Sequence, residues 1–438
     1  MIQKRYSLFF YCLICLYLVS PFYAHAEVTV SEDKWIRYTV TDGLNSDWIL
    51  SIAFDRNSRV WVSPYYFKNN NQSIDGINMF DGKSWEKYTL EPENPSYPIR
   101  SIDSMIIDIN RDILWAGSRI GYERPSSQGS LEYAGQGLIR YEIGTKKTTI
   151  YKTSDSVVQL WGDRITALAM SDDNILWIAS SDIKWTTTGL SWYNVVNKEW
   201  GRIEPDTNSP LGTSDIITSI TVDKKNNVWA VIQKQGIDNI IVINSSTKTE
   251  QNTFTTENKN IDLSSIASIA TDAEGDIWVG SHGGLSHYDS SQGQWIKKYD
   301  SKNTDGGMVG DMVKSICVDT KEENYIYLCT QNEYTKSIDV SRLNMQTEQC
   351  SLLPPPPTSI QIGLYNIIYD MKMDNAGILW IAAETGLYRY DAQDRQPDPP
   401  PRPVIPGPGI FDDALSADNN GCFLNLLAPW YYRCPQMN

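Results

Sequence analysis

The hydrophobic pattern of this chain repeats one phrase. A run of small and apolar residues closes on an acidic residue, a polar turn follows, and an apolar run led by an aromatic comes next. Ser268–Ser281, S-I-A-T-D-A-E-G-D-I-W-V-G-S, is the clearest copy. Seven copies carry the anchors Trp61, Trp115, Trp177, Trp229, Trp278, Tyr327 and Trp380, spaced 54, 62, 52, 49, 49 and 53 residues apart. Short apolar runs bounded by Asp, Asn and Gly predict strands. A period of about fifty residues with several strands per unit predicts an all-β fold, a seven-bladed β-propeller.

Each unit reads as four antiparallel strands. The first is small and apolar, as in Ile217–Val222, and closes on Asp223; the second follows at Val228–Ile232. The third carries Gly-apolar-x-aromatic-polar, seen at Gly137–Glu142, Gly189–Asn194, Gly284–Asp289 and Gly386–Asp391. The fourth is aromatic-led, as in Trp85–Tyr88, Trp200–Ile203 and Trp295–Tyr299. Ser51, Ser104, Ala167, Ser219, Ser268 and Ser315 match in position on the first strands, as expected where blades converge on the axis. Asp370 and Lys372 break that rule in the seventh unit and predict a structural ion pair near the axis. The anchor aromatics belong to the core, since burying each removes about 150–250 Å² from water.

The two ends complement each other. The last unit stops after its third strand at Asp391, while Trp35-Ile36-Arg37-Tyr38-Thr39 has the fourth-strand pattern with no unit before it. The N-terminal strand therefore completes the last blade and closes the ring, which removes exposed sheet edges. The propeller is expected over residues 27–391, a Pro-rich linker over 392–410 and a short tail over 411–438. In the linker, seven prolines between Pro397 and Pro408 forbid a sheet.

Residues 1–26 read as a secretory signal peptide cleaved after Ala26. Lys4 and Arg5 precede an apolar run from Leu8 to Val19, and Ala24-His25-Ala26 supplies a small-x-small site. A secreted or periplasmic protein follows. The formal net charge of −15, two units more negative once Lys4 and Arg5 are lost, disfavours recognition of a phosphate backbone, so no nucleic-acid partner is expected. Cys317, Cys329, Cys350, Cys422 and Cys434 remain after cleavage, an odd number that leaves at least one thiol outside an intrachain pair. Cys422 and Cys434 in the tail are the candidate disulfide.

Loop lengths separate the two faces of the ring. The strand 1–2 and 3–4 turns, such as Asp81–Ser84, Asp223–Asn227 and Asp272–Asp276, are short. The strand 2–3 loops are long: Ser63–Asp75 holds Tyr65 and Tyr66, Ser118–Gln136 holds Tyr122 and Arg124, Ser180–Thr188 holds Trp185, and Thr330–Ser337 holds Tyr334. The inter-blade segments on that face add Trp161 and Arg164. These eight are the candidate ligand-binding residues, because rings offer flat apolar area and polar neighbours fix orientation. The same rings could instead pack beneath their own loops.

The composite G-L-x-S…S-I-x-x-D-x-x-G-x-I/L-W-V/I-G/A…G-L-x-R-Y-D resembles the two-component regulator propeller repeat. Asp272–Asp289 and Asp374–Asp391 match best, Asp42-Gly43-Leu44 supplies the first entry, and units four and six are degenerate. The resemblance covers roughly Trp35 to Asp391. It implies the periplasmic sensor half of a hybrid two-component system, a propeller that recognises an extracytoplasmic ligand, often a glycan. No membrane helix or kinase follows Asp391 here, so the resemblance implies output through a membrane-bound signalling partner.

The reading is a non-catalytic binding or sensing propeller for a glycan or an extracellular protein. Two alternatives stay open: a propeller-fold lyase or glycoside-active enzyme, and a protein–protein docking scaffold. After cleavage the chain keeps two histidines, His282 and His287, around Gly283-Gly284. No nucleophile elbow, zinc motif or phosphate loop occurs, so no catalytic residue, metal site or cofactor is assigned.

Overall fold

The computed structural model describes the chain from Trp35 to Asp391 apart from residues 66–75, 91–101, 119–121, 126–130, 183–186, 205–210, 212–214, 235–237, 256–259, 320, 323, 334–337 and 356–366. The signal, linker and tail segments lie outside the described residues. Seven four-stranded antiparallel sheets form the blades of a propeller. Their first strands are Ile49–Phe54, Ile102–Asp108, Arg164–Met170, Ile216–Val222, Ser268–Thr271, Met312–Val318 and Ile368–Met373. The seventh blade takes its fourth strand from the other end of the chain. Trp35–Tyr38 pairs with Gly386–Asp391 in the register Trp35↔Tyr390 to Tyr38↔Leu387. The expected closure is therefore the observed one. Between the second and third strands of blade two, a small hairpin of Tyr122–Pro125 and Leu131–Ala134 interrupts the loop that the sequence left unstructured.

The repeated aspartate and tryptophan are one device. In blade seven, Asp374 Oδ1 accepts the amides of Ala376 and Ile378 at 2.9 and 3.0 Å, and Oδ2 accepts the Trp380 indole N–H at 2.9 Å. One carboxylate thereby shapes the turn and satisfies a buried indole six residues on. Asp55 with Trp61, Asp223 with Trp229 and Asp272 with Trp278 repeat the bond at 2.8, 3.0 and 2.7 Å. Blade three uses Ser171 for Trp177. Blade two breaks the rule. Asp108 turns to Arg111 at 2.8 Å, and the Trp115 indole N–H has no partner among the described residues.

The glycine that opens the third strand in blades one, two and five has an equally local cause. Gly76, Gly137 and Gly284 have φ of 90°, 85° and 132°, and a Cβ there would lie 1.9, 2.1 and 2.2 Å from the carbonyl oxygens of Tyr88, Tyr151 and Tyr299. The fourth strand passes where a side chain would stand, so only glycine fits.

Neighbouring first strands are latched across the blade boundaries. Ser51 Oγ accepts the Met105 amide and Ser268 Oγ accepts the Ile316 amide, both at 3.2 Å. Asp370 occupies the same position in blade seven and accepts the Ile52 amide at 2.9 Å, joining the last blade to the first. Lys372 lies 3.5 Å from Asp370 and donates to the Ile52 carbonyl at 2.6 Å. The ion pair expected from the sequence is thus part of the ring seam. The short-turn face is braced as well. Arg56 donates to the Ile109 carbonyl, Arg111 to Asn174 and Lys225 to the Ser290 carbonyl, each reaching the next blade.

Candidate ligand face

The inter-blade segments and the strand 2–3 connections open on the face opposite those braces. Three of the eight candidates have described side chains: Tyr65, Trp161 and Arg164. Tyr66, Trp185 and Tyr334 fall outside the described residues, and Tyr122 and Arg124 are described only as backbone of the inserted hairpin, opposite Ala134 and Glu132.

Tyr65 leaves the second strand of blade one and donates its amide to the Trp48 carbonyl at 2.7 Å. Its ring meets Trp48 at 4.6 Å and 36°, and Trp48 meets Tyr369 of blade seven at 6.1 Å and 42°. All three are half-buried. The structure thus gathers one predicted ring with two that sequence reasoning missed, across the seam where the ring closes. Trp48 immediately precedes the first strand of blade one and Tyr369 is the second residue of the first strand of blade seven, so the available signal was an aromatic at the mouth of a first strand.

Trp161 is held at the blade three boundary. Its indole N–H points to the Leu190 carbonyl at 3.3 Å, the Arg202 guanidinium lies 4.7 Å over its ring, and a Cβ on Gly189 would sit 2.6 Å from its Nε1. Gly189 is therefore small because Trp161 lies on it. Arg164 begins the first strand of the same blade and is partly exposed. Tyr65 and Trp161 do not share a contact; they mark two sectors of one face.

A third sector is polar. His282 follows the second strand of blade five, its amide bonded to the Ser264 carbonyl at 3.0 Å. Burial pushes the imidazole below its ordinary pKa, Lys314 adds to that, and Asp262, Glu333 and Asp238 oppose it. Two of those carboxylates are already committed to loop geometry. Asp238 accepts the Lys234 and Ile266 amides at 3.0 and 2.7 Å, and Asp262 accepts the Ser264 amide at 2.8 Å.

His287 belongs to the opposite face. It pairs with Trp278 at the start of the hairpin, whereas His282 lies past its end, so four strand rises, roughly 13 Å at ~3.3 Å each, separate them. The two histidines do not face each other across the hairpin. His287 instead stacks on Trp278 at 3.8 Å and 11°, with Nε2 2.9 Å from Asp276 Oδ2.

The thiols resolve in part. Cys317 and Cys329 are free among the described residues; burial pushes both thiols far above their usual range, which makes them inert core residues. Cys422 and Cys434 lie outside the described residues.

No protein-family model matches the chain, and no curated protein does. Solved structures do. The extracellular domain assigned to a hybrid two-component system of B. thetaiotaomicron aligns over 81% of this chain and 41% of its own, at 15% identity and a TM-score of 0.57. PorZ, a surface component of the type-IX secretion system of Porphyromonas gingivalis, aligns over 80% and 47%, at 14% identity and 0.53. A streptogramin B lyase aligns over 81% and 96%, at 11% identity and 0.55. The chain spans less than half the length of the first two. At these identities the likenesses carry the fold alone, and that fold is the one implied by the resemblance of the Asp272–Asp289 and Asp374–Asp391 motifs to the two-component regulator propeller repeat.

Proposed function

We propose that this chain is an extracytoplasmic, non-catalytic sensing propeller that recognises a glycan or an extracellular protein on its long-loop face and passes the signal to a membrane-bound partner. The division of labour between the two faces carries the reading. One face is made of short turns locked by Asp–Trp bonds and braced from blade to blade. The other gathers half-buried aromatic side chains, Trp48, Tyr65, Tyr369 and Trp161, beside polar groups on a rigid support. Functional loops on a stiff scaffold are what binding requires. The signal-like residues 1–26 and the extracellular setting of two structural neighbours support the location.

Binding of the mature protein to a glycan array and to a panel of extracellular proteins tests the proposal. Tyr65→Ala, Trp48→Ala and Trp161→Ala each weaken a genuine ligand at least tenfold in at least one sector while the melting temperature stays within a few degrees. Equal binding by wild type and all three variants removes the long-loop face as the site. Turnover of any array member by the wild type would favour the enzyme reading instead.

A further inference from the structure

Blade five departs from the repeat twice at one spot. The residue two before the anchor aromatic is Arg59, Ile113, Ile175, Asn227, Tyr325 or Ile378 in the other blades, and Asp276 here. The residue paired with the anchor on the third strand is Met79, Arg140, Trp192, Val242, Arg342 or Arg389 elsewhere, and His287 here. Both changes put metal-ligating groups next to Asp272, the carboxylate every well-formed turn already supplies. One ligand atom from each of Asp272, Asp276 and His287 falls within 4.8 Å of the others.

We propose that Asp272, Asp276 and His287 form a divalent-metal site on the short-turn face of blade five, taking a first-row transition ion such as Zn²⁺ through two carboxylates and one imidazole. The donor set is mixed N and O, which suits zinc or manganese better than calcium. Donor atoms around a tetrahedral zinc stand about 3.3 Å apart, given metal–ligand bonds of about 2.0–2.1 Å. His287 Nε2 and Asp276 Oδ2, now 2.9 Å apart, open by a few tenths of an ångström; the Asp272 carboxylate closes by a side-chain adjustment.

The supporting shell is already built. Asp276 Oδ1 accepts the Ser290 amide and hydroxyl, both at 2.9 Å, which aims Oδ2 at His287. Asp272 is held by the Glu274 and Asp276 amides and the Trp278 indole. The imidazole is fixed by its stack on Trp278. Outer partners that orient ligands in this way are what separates a metal site from a chance cluster. The chain shows no metal motif because the ligands come from a turn and from the third strand, eleven residues on from Asp276.

The site is independent of the ligand face, so its test does not depend on finding a ligand. Isothermal titration of the purified protein with Zn²⁺, with melting followed in parallel, is expected to show one site that Asp276→Asn and His287→Gln each weaken at least tenfold. Zn²⁺ at about 100 times its dissociation constant raises the wild-type melting temperature by roughly 3 °C. Because zinc also binds thiols, Mn²⁺ is titrated as a second probe and must show the same dependence on both residues. No saturable binding, or binding equal in wild type and both variants, overturns the proposal. Binding lost in Asp276→Asn alone also overturns it, because the imidazole would then not be a ligand.

Discussion

Asp374→Ala removes the acceptor shared by two amides and an indole, and its cost follows from where those donors lie. The Ala376 amide sits in an exposed turn and can turn to water. Ile378 and Trp380 are 6% and 3% exposed, so the Ile378 amide and the Trp380 indole N–H have no solvent to replace the carboxylate. A hydrogen bond to a charged group is worth about 1.5–3 kcal/mol, and a buried donor left unsatisfied costs about 1–3 kcal/mol. Two such donors set a loss of about 3–5 kcal/mol. Asp374→Asn keeps an oxygen for the amides but sets an NH₂ against the indole, so about 2 kcal/mol is expected.

Blade two supplies the internal control, since Asp108 holds Arg111 and the Trp115 indole is already unbonded. Asp108→Ala loses a half-solvated interaction and costs about 1–2 kcal/mol, less than half the Asp374→Ala value. Urea unfolding followed by tryptophan fluorescence reads all three variants as shifts in midpoint at constant m. Equal losses in Asp374→Ala and Asp108→Ala, or a loss below 1 kcal/mol in Asp374→Ala, would refute the claim that the indole bond carries the repeat.

Gly284→Ala places a methyl 2.2 Å from the Tyr299 carbonyl at a φ of 132°, so the third and fourth strands of blade five must part; a melting temperature lowered by several degrees is expected, and an unchanged one sinks the steric account. Asp370→Ser restores the group used by the other latches and should cost under about 1 kcal/mol, whereas Asp370→Ala leaves the Ile52 amide without its acceptor and should cost about 1–2 kcal/mol in the same urea assay. Burial pushes the Tyr88 and Tyr151 hydroxyls up to about 12 and raises Tyr299 and Tyr388 as well. An unfolded tyrosine titrates near about 10, so the unfolded chain loses protons first. The stability these rings contribute is then complete below about pH 10 and is lost as pH rises through about 12. Urea midpoints that stay flat from pH 9 to pH 11.5 would contradict this.

The sequence discloses what recurs and hides what does not. The blade count, the strand 1–2 turns and the closure by Trp35–Tyr38 were legible because Asp, Gly and an aromatic return at fixed offsets, each held there by a bond or a clash within one blade. The face carrying the long loops was legible from their length alone. The aromatic group on that face was not, because Trp48 and Tyr65 belong to the first blade and Tyr369 to the last. Only closure brings them together. His282 and His287 are five residues apart in sequence, yet the hairpin sends them to opposite faces. The small hairpin at Tyr122–Ala134 escaped notice because it occurs once and has no counterpart against which to compare it.

The same logic accounts for the charge at the axis. Each of the seven blade boundaries carries a connecting segment from a fourth strand to the next first strand, and at the seventh it is residues 39–48, between Trp35–Tyr38 and Ile49–Phe54. At two of the other boundaries a serine hydroxyl is the latch, as Ser51 and Ser268 show. At the seventh the first strands of the two blades lie 318 residues apart in sequence at the Ile52–Asp370 contact, and the break in chain continuity falls inside blade seven, between Trp35–Tyr38 and Gly386–Asp391. A carboxylate there makes a stronger bond to the Ile52 amide than a hydroxyl would, because charge-assisted bonds are roughly twice as strong. Lys372 holds the neighbouring Ile52 carbonyl and offsets the charge of Asp370, so the backbone of Ile52 is gripped at both its N–H and its C=O. The departure of blade seven from the small-residue rule therefore falls in the one blade built from both ends of the chain, where the Asp370–Lys372 grip ties the C-terminal three strands to blade one while the N-terminal strand is tied to it by residues 39–48.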